Sequence, residues 1–226
     1  MFKHTKHLTI AMAFCLVPAC GATGTQSDGP AGTVEQKLSN YYTYTPVDGD
    51  SRGYTSDGDW SPGFWKGECA LNQLLTGISR SFSSQPSPGR MHRMLCTGPL
   101  NGNMNPTNTL TIGSSDTRAD TSTGDWDSGY VKVECAYNET MSGISQGSTG
   151  VLMNARCDST GFYASSCHTV QFPSGGDNRY SSNGGDWDVT YQKNQCGNTE
   201  YVKGISKYSN GLIKSMLCCS YSTIIY

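Results

Sequence analysis

Charge is scarce in this chain. Of its 226 residues only 15% are Asp, Glu, Lys or Arg, against a usual ~25%. Sixteen basic and 18 acidic residues leave a net charge of −2. With no basic excess to neutralise a phosphate backbone, nucleic acid is not an expected partner. No apolar run reaches the ~18–20 residues that a spanning helix needs, which excludes a multi-pass helical membrane protein. Histidine is sparse, four residues in all, and no H-E-x-x-H or phosphate-loop pattern occurs. No window carries a helical period. What the chain does have is glycine, 27 residues, cysteine, ten residues, and a 10% aromatic content with 13 Tyr. That is too aromatic for a disordered chain, and the length suits one domain or a tight pseudo-repeat with a proper core.

The first residues read as an address. Lys3 and Lys6 supply a positive start, and Leu8 to Val17 is a mostly apolar run of ten, too short for a stable span. It runs into Leu16-Val17-Pro18-Ala19-Cys20-Gly21, which resembles a bacterial lipoprotein box. That resemblance implies cleavage before Cys20, acylation of its thiol, and an outer-membrane or cell-surface location in which the membrane is met only through the lipid. Ordinary signal cleavage after Gly21, with free secretion, is the alternative. The expected plan is a signal over 1–19, a lipidated or free polar tether over 20–36, and a single β domain over 37–226.

Either cleavage leaves eight cysteines in the folded part: Cys69, Cys96, Cys135, Cys157, Cys167, Cys196, Cys218 and Cys219. An even count in an exported chain points to disulfides and an oxidising compartment. Zinc is disfavoured, because no C-x2-C pair exists and only His92 and His168 remain.

The chain aligns with itself three times. D-x-R occurs at Asp50-Ser51-Arg52, Asp116-Thr117-Arg118 and Asp177-Asn178-Arg179. Gly-Asp-Trp follows at one spacing, at Gly58-Asp59-Trp60, Gly124-Asp125-Trp126 and Gly185-Asp186-Trp187. Nine residues after each Trp comes Cys69, Cys135 or Cys196. Lys66, Lys132 and Lys193 stand three before the Cys, and Phe64, Tyr130 and Tyr191 stand five before it. Gly-Ile-Ser begins eight residues after it, and Cys96, Cys157 and Cys218 close the units. The first unit carries five extra residues in the Ser83–Gly89 loop. The units span about 41–97, 108–158 and 168–219. The repeat pairs Cys69 with Cys96, Cys135 with Cys157 and Cys196 with Cys218, and leaves Cys167 for Cys219. Because Cys218 and Cys219 are adjacent, those two assignments stay exchangeable.

Each unit holds four short β-like runs between Gly, Asn, Asp and Ser turns. In the second unit these are Thr109–Ile112, Gly129–Cys135, Thr140–Gln146 and Val151–Cys157. The expectation is an all-β, pseudo-threefold β-prism of three four-stranded sheets, with a β-trefoil as the alternative. Nothing follows the third unit to serve as its last strand, so Tyr41–Thr45 is expected to close it. The Trp-led, Cys-paired G-I-S unit resembles repeats in secreted bacterial proteins. It is similar to the vitelline membrane outer layer proteins, which are three-repeat β-prisms, and to dermatopontin-like repeats, which also end in Cys-Cys. The resemblance spans Tyr41 to Cys219 and implies an extracellular coat or matrix setting, with sugar-binding lectins among related prisms. No functional residue is carried across.

The best candidate chemistry is the repeated set Arg52, Asp59, Trp60; Arg118, Asp125, Trp126; and Arg179, Asp186, Trp187. Carboxylate and guanidinium can bond sugar hydroxyls, and an indole can stack on a pyranose face. The competing reading is structural, with each Trp partly buried and each Asp tying its turn. The recurring Lys residues read as a solvated strand face or edge protection. Asp48, Asp50, Asp57 and Asp59 are a weak calcium set, since only two of them recur in every unit. No metal, no cofactor and no catalytic residue is expected. The expected function is a non-catalytic, secreted or surface-anchored, lectin-like module for glycan or cell-envelope polysaccharide. A structural coat or matrix protein without a ligand is the alternative.

Overall fold

Short β-prone runs broken by Gly, Asn and Ser leave room for strands and tight turns only. The computed structural model describes residues 41–56, 58–82, 85, 88–98 and 104–223, all within one compact unit, Thr33–Tyr226. The expected signal, tether and Cys20, and also Asp57, lie outside the described residues. Those described form fifteen strands and no helix. The first unit contributes β1 (Tyr41–Pro46), β2 (Asp50–Arg52), β3 (Trp65–Glu68), β4 (Leu74–Arg80) and β5 (Met91–Gly98). The second contributes β6 (Asn105–Thr111), β7 (Thr117–Arg118), β8 (Val131–Glu134), β9 (Glu139–Gln146) and β10 (Leu152–Ser159). The third contributes β11 (Phe162–Gln171), β12 (Asn178–Arg179), β13 (Gln192–Gln195), β14 (Glu200–Lys207) and β15 (Ile213–Thr223).

Three sheets result, ordered β1-β5-β4-β13-β12, β2-β3-β9-β10-β6 and β11-β15-β14-β8-β7. The protein is an all-β, pseudo-threefold prism. Each sheet has five strands rather than the expected four. The extra member is the D-x-R segment, which pairs in parallel with the next strand of its own unit, as Asp50–Arg52 does with Lys66–Glu68. None of the four expected runs covers it, because two or three residues carry no readable alternation.

The units exchange strands. The Lys-bearing strand of each unit leaves its own G-I-S hairpin and pairs with that of the next: β3 with β9, β8 with β14, and β13 with β4. This corrects the closure expected of Tyr41–Thr45. That strand pairs with β5 of its own unit. The ring is closed instead by β13 from the third unit docking on β4 of the first.

The three G-I-S strands β4, β9 and β14 contact one another. Their inward side chains form the core with those of the closing strands: Leu75, Ile78, Met91 and Met94, then Met141, Ile144, Leu152 and Ala155, then Val202, Ile205, Ile213 and Met216. Four disulfides are present: Cys69–Cys96, Cys135–Cys157, Cys196–Cys218 and Cys167–Cys219. The first three each join the end of an exported strand in one sheet to the closing strand of the same unit in another. The fourth links opposed residues of β11 and β15. Successive strand residues face opposite sides, so Cys218 enters the core cluster while Cys219 enters a second cluster with Phe162, Tyr201 and Leu217. That alternation removes the exchange between the adjacent cysteines. Four disulfides belong to an oxidising, extracytoplasmic setting.

Candidate functional site

In every unit the repeated Asp, Arg, Trp and Lys residues are used on one another. The Trp indole N–H donates to a side chain eight residues on: Trp60 to Glu68 at 2.9 Å, Trp126 to Glu134 at 3.1 Å, and Trp187 to Gln195 at 3.1 Å. Trp60 and Trp126 are half-buried and Trp187 is buried. Each ring edge lies over the Gly of the next unit's G-I-S. A Cβ on Gly143 would sit 3.0 Å from Trp60 Cζ2, one on Gly204 3.3 Å from Trp126 Cζ2, and one on Gly77 3.2 Å from Trp187 Cζ2. The Gly is there because the indole of a neighbouring unit and the strand carbonyl beside it, that of Gly67, Val133 or Asn194, both need the space.

The lysines are a correction. They were read as solvated, yet Lys66, Lys132 and Lys193 are buried, at 2%, 3% and 3% exposure. Lys132 Nζ donates to the carbonyls of Asp127 at 3.2 Å and Tyr130 at 2.7 Å. It also lies 2.7 Å from Asp125 and 3.4 Å from Asp116. Lys66 repeats this with Ser61, Phe64, Asp59 and Asp50, and Lys193 with Asp188, Tyr191, Asp186 and Asp177. Two carbonyls and two carboxylates are the oxygen set that a hard cation would take. Here a tethered ammonium takes it and ties the Trp loop to its strand. The hydrogen bond from lysine holds the carboxyls of Asp59, Asp125 and Asp186 below the usual 3.8. Burial works against the Lys132 charge, but Asp125 and Asp116 together outweigh it and raise its pKa.

The arginines are absorbed too. Arg52 donates to Asp50 at 2.7 Å and to the Gly58 carbonyl, Arg118 donates to Glu134 at 3.2 Å, and Arg179 donates to the Gly185 carbonyl. Of the candidate set, Asp59, Asp125 and Asp186 are exposed, the three arginines, Trp60 and Trp126 are half-buried, and Trp187 is buried. Sequence reasoning missed Glu68, Glu134 and Gln195. Their signal was present, an acid or amide fixed eight residues after each Trp. Burial raises the Glu134 pKa against the opposing pull of Thr123, Trp126, Lys203 and Arg118.

Two clusters have metal-like ligand sets, Cys135/Glu139/Cys157 and His168/Glu200/Cys218. The cysteines of both are in disulfides, so neither cluster offers a thiolate.

A cleft opens where the threefold pattern breaks. The β4–β5 connection carries the five extra residues, whereas the matching turns after β9 and β14 are tight. The cleft has a volume of about 300 Å³, at the small end of ligand pockets. Phe82, Pro88, Pro173 and Leu212 give it apolar walls, and Arg80, Gln192, Tyr208 and Asn210 bring hydrogen-bonding groups. Gly89, at φ +78°, forms the turn; a Cβ there would stand 2.9 Å from Leu212. No carboxylate and no histidine is among its described lining residues. Comparison of the chain with protein-family models, curated proteins and solved structures finds no match.

Proposed function

We propose that this protein is a non-catalytic carbohydrate-binding module, exported and held at the cell surface through Cys20, with its ligand seat in the cleft beside the β4–β5 connection. The observation that carries the reading is the composition of that cleft. Apolar and aromatic faces can lie against the C–H faces of a sugar ring, while Asn210 and the Tyr208 hydroxyl can meet its hydroxyls. Glycosidic cleavage needs a pair of carboxyl groups flanking the bond, and the described lining supplies none. The repeated Asp/Arg/Trp sets become part of the frame, so one site is proposed in place of three.

The rival reading is a coat or matrix scaffold without a ligand. It is favoured by the internal use of all three repeated sets and by the four disulfides. A glycan array separates the two. Binding by the wild type that is abolished by Ser174→Trp, which places an indole across the cleft mouth, supports the module. A wild-type protein that binds no glycan leaves the scaffold.

A further inference from the structure

The cleft has a charge that no carboxylate of a described residue answers. Arg80 is the only ionised side chain among its described lining residues. Its Nε donates to Gln192 Oε1 at 2.7 Å, one Nη1 hydrogen goes to the Ile213 carbonyl at 2.9 Å, and its guanidinium stacks 4.4 Å over the Phe172 ring. These contacts fix the plane of the group and leave part of its five N–H donors for a ligand. The Tyr208 side chain also bonds the guanidinium, and no carboxylate pairs with Arg80 among the described residues. The other arginines differ. Arg52, Arg93, Arg118, Arg156 and Arg179 each have an Asp or Glu within 4 Å, and Arg90, which has none, lies over the Trp65 ring away from this cleft. Burial also pulls the Arg80 pKa down, against an opposing pull from Tyr208.

The matching positions in the other units show what a purely structural side chain does there. Gln146 is fully buried and donates to the Val47 and Met91 carbonyls at 2.6 and 2.8 Å. Lys207 reaches the Ile112 carbonyl at 3.3 Å. Both end on backbone oxygens. Only the first unit, the one with the longer loop, places a planar fork at a cavity wall with donors to spare.

We infer that the cleft selects an acidic sugar, a saccharide whose carboxylate bonds the open end of the Arg80 guanidinium while its ring lies against Phe82, Pro88 and Leu212. The inference rests on the glycan-binding reading and narrows its ligand. A carboxylate presents two coplanar oxygens to two parallel N–H donors; a sulfate can do the same, so the test compares the two anions directly.

Titration calorimetry with methyl glucuronide, methyl glucoside and methyl glucoside 6-sulfate tests it, on the wild type, Arg80→Gln, Arg80→Lys and Ser174→Trp. Arg80→Gln installs the residue that position 146 already carries, and matching melting temperatures establish that the variants are folded. The expected result is at least tenfold tighter binding of the glucuronide than of the glucoside. That preference should disappear in Arg80→Gln, fall in Arg80→Lys and weaken with added salt. Equal affinity for glucuronide and glucoside, a preference for the sulfate, or a glucuronide preference that survives Arg80→Gln overturns the inference. Binding of neutral sugars that Ser174→Trp abolishes and Arg80→Gln spares overturns the acidic ligand while keeping the glycan reading. Failure of the wild type to bind any glycan, on the array or here, overturns both.

Discussion

At the scale of single residues, the repeat is a clamp built from a lysine. Its ammonium is buried and bonded, whereas the aspartates that face it keep one side in water. The consequence for pH has a definite sign. Asp59, Asp125 and Asp186 have folded-state pKa values below 3.8, so their contribution is complete above the unfolded carboxylate range and is lost as pH falls through the folded values. Lys132, whose pKa is raised above 10.5, contributes fully below its unfolded value and loses that contribution as pH rises through the folded one. Urea titrations from pH 7 down to pH 2 should therefore show stability falling on the acid side. Lys132→Met should flatten that fall, and an unchanged acid limb in the variant would show that the clamp is idle. The G-I-S glycines give a second expectation. A Cβ on Gly204 would meet the Val133 carbonyl at 2.8 Å as well as the indole of Trp126. Gly204→Ala should cost about 1–3 kcal/mol, as overpacking does, readable as a lower urea midpoint. The sequence displayed all of these residues at fixed spacing. It could not say that the lysine turns inward, because a charged residue on a short strand reads as solvent-facing unless its acceptors, here two loop carbonyls, are known.

At the scale of elements, the repeat was legible and its wiring was not. Twelve of the strands could be found from alternation and turn residues; β2, β7 and β12 could not, since they are two or three residues long and are held by pairing rather than by pattern. The exchange of β3, β8 and β13 between units was equally hidden. A unit closed on itself and a unit that lends a strand have the same spacings, and only the partner differs. The exchange explains the disulfides. Each of the three core bridges ties a lent strand to the hairpin of its donor, 22 or 27 residues away. Removing one, as in Cys135→Ala with Cys157→Ala, should cost about 3 kcal/mol in the chain-entropy view, seen as a drop in melting temperature. Deleting the chain through Pro46 is a separate test at this scale. It removes β1, bares the hydrogen-bonding edge of β5 and takes the neighbour of the core residue Val47. That variant should melt lower and self-associate, whereas deletion through Gln36 should do neither. Equal melting and equal dispersity in light scattering would show that the edge needs no cover.

At the scale of the whole molecule, strand exchange makes three units into one cooperative body. A stacked repeat array gains stability unit by unit, because each unit touches only its neighbours and the ends stay open. Here every sheet needs strands from two units, and the third unit returns to the first, so no unit can complete a sheet alone. The three seams are also keyed differently. Lys214 meets Asp127 at 3.0 Å, His92 meets Asp188 at 2.9 and 3.1 Å, and Asn154 meets Ser61 at 2.7 Å. A loop docked on the wrong hairpin would lose its charge partner or set Asp127 or Asp188 against an amide, which favours a single arrangement over the cyclic alternatives. The expected behaviour is all-or-none. With disulfides intact, indole fluorescence, which reports the Trp loops, and near-ultraviolet circular dichroism, which reports the tyrosine-rich packing, should trace one urea transition with one midpoint. An isolated second unit, residues 104–160, should show no cooperative transition, because β8 would lack β14 and β9 would lack β3. Separate midpoints for the two probes, or a folded second unit in isolation, would mean that the units are independent and that the exchange contributes little to holding them together.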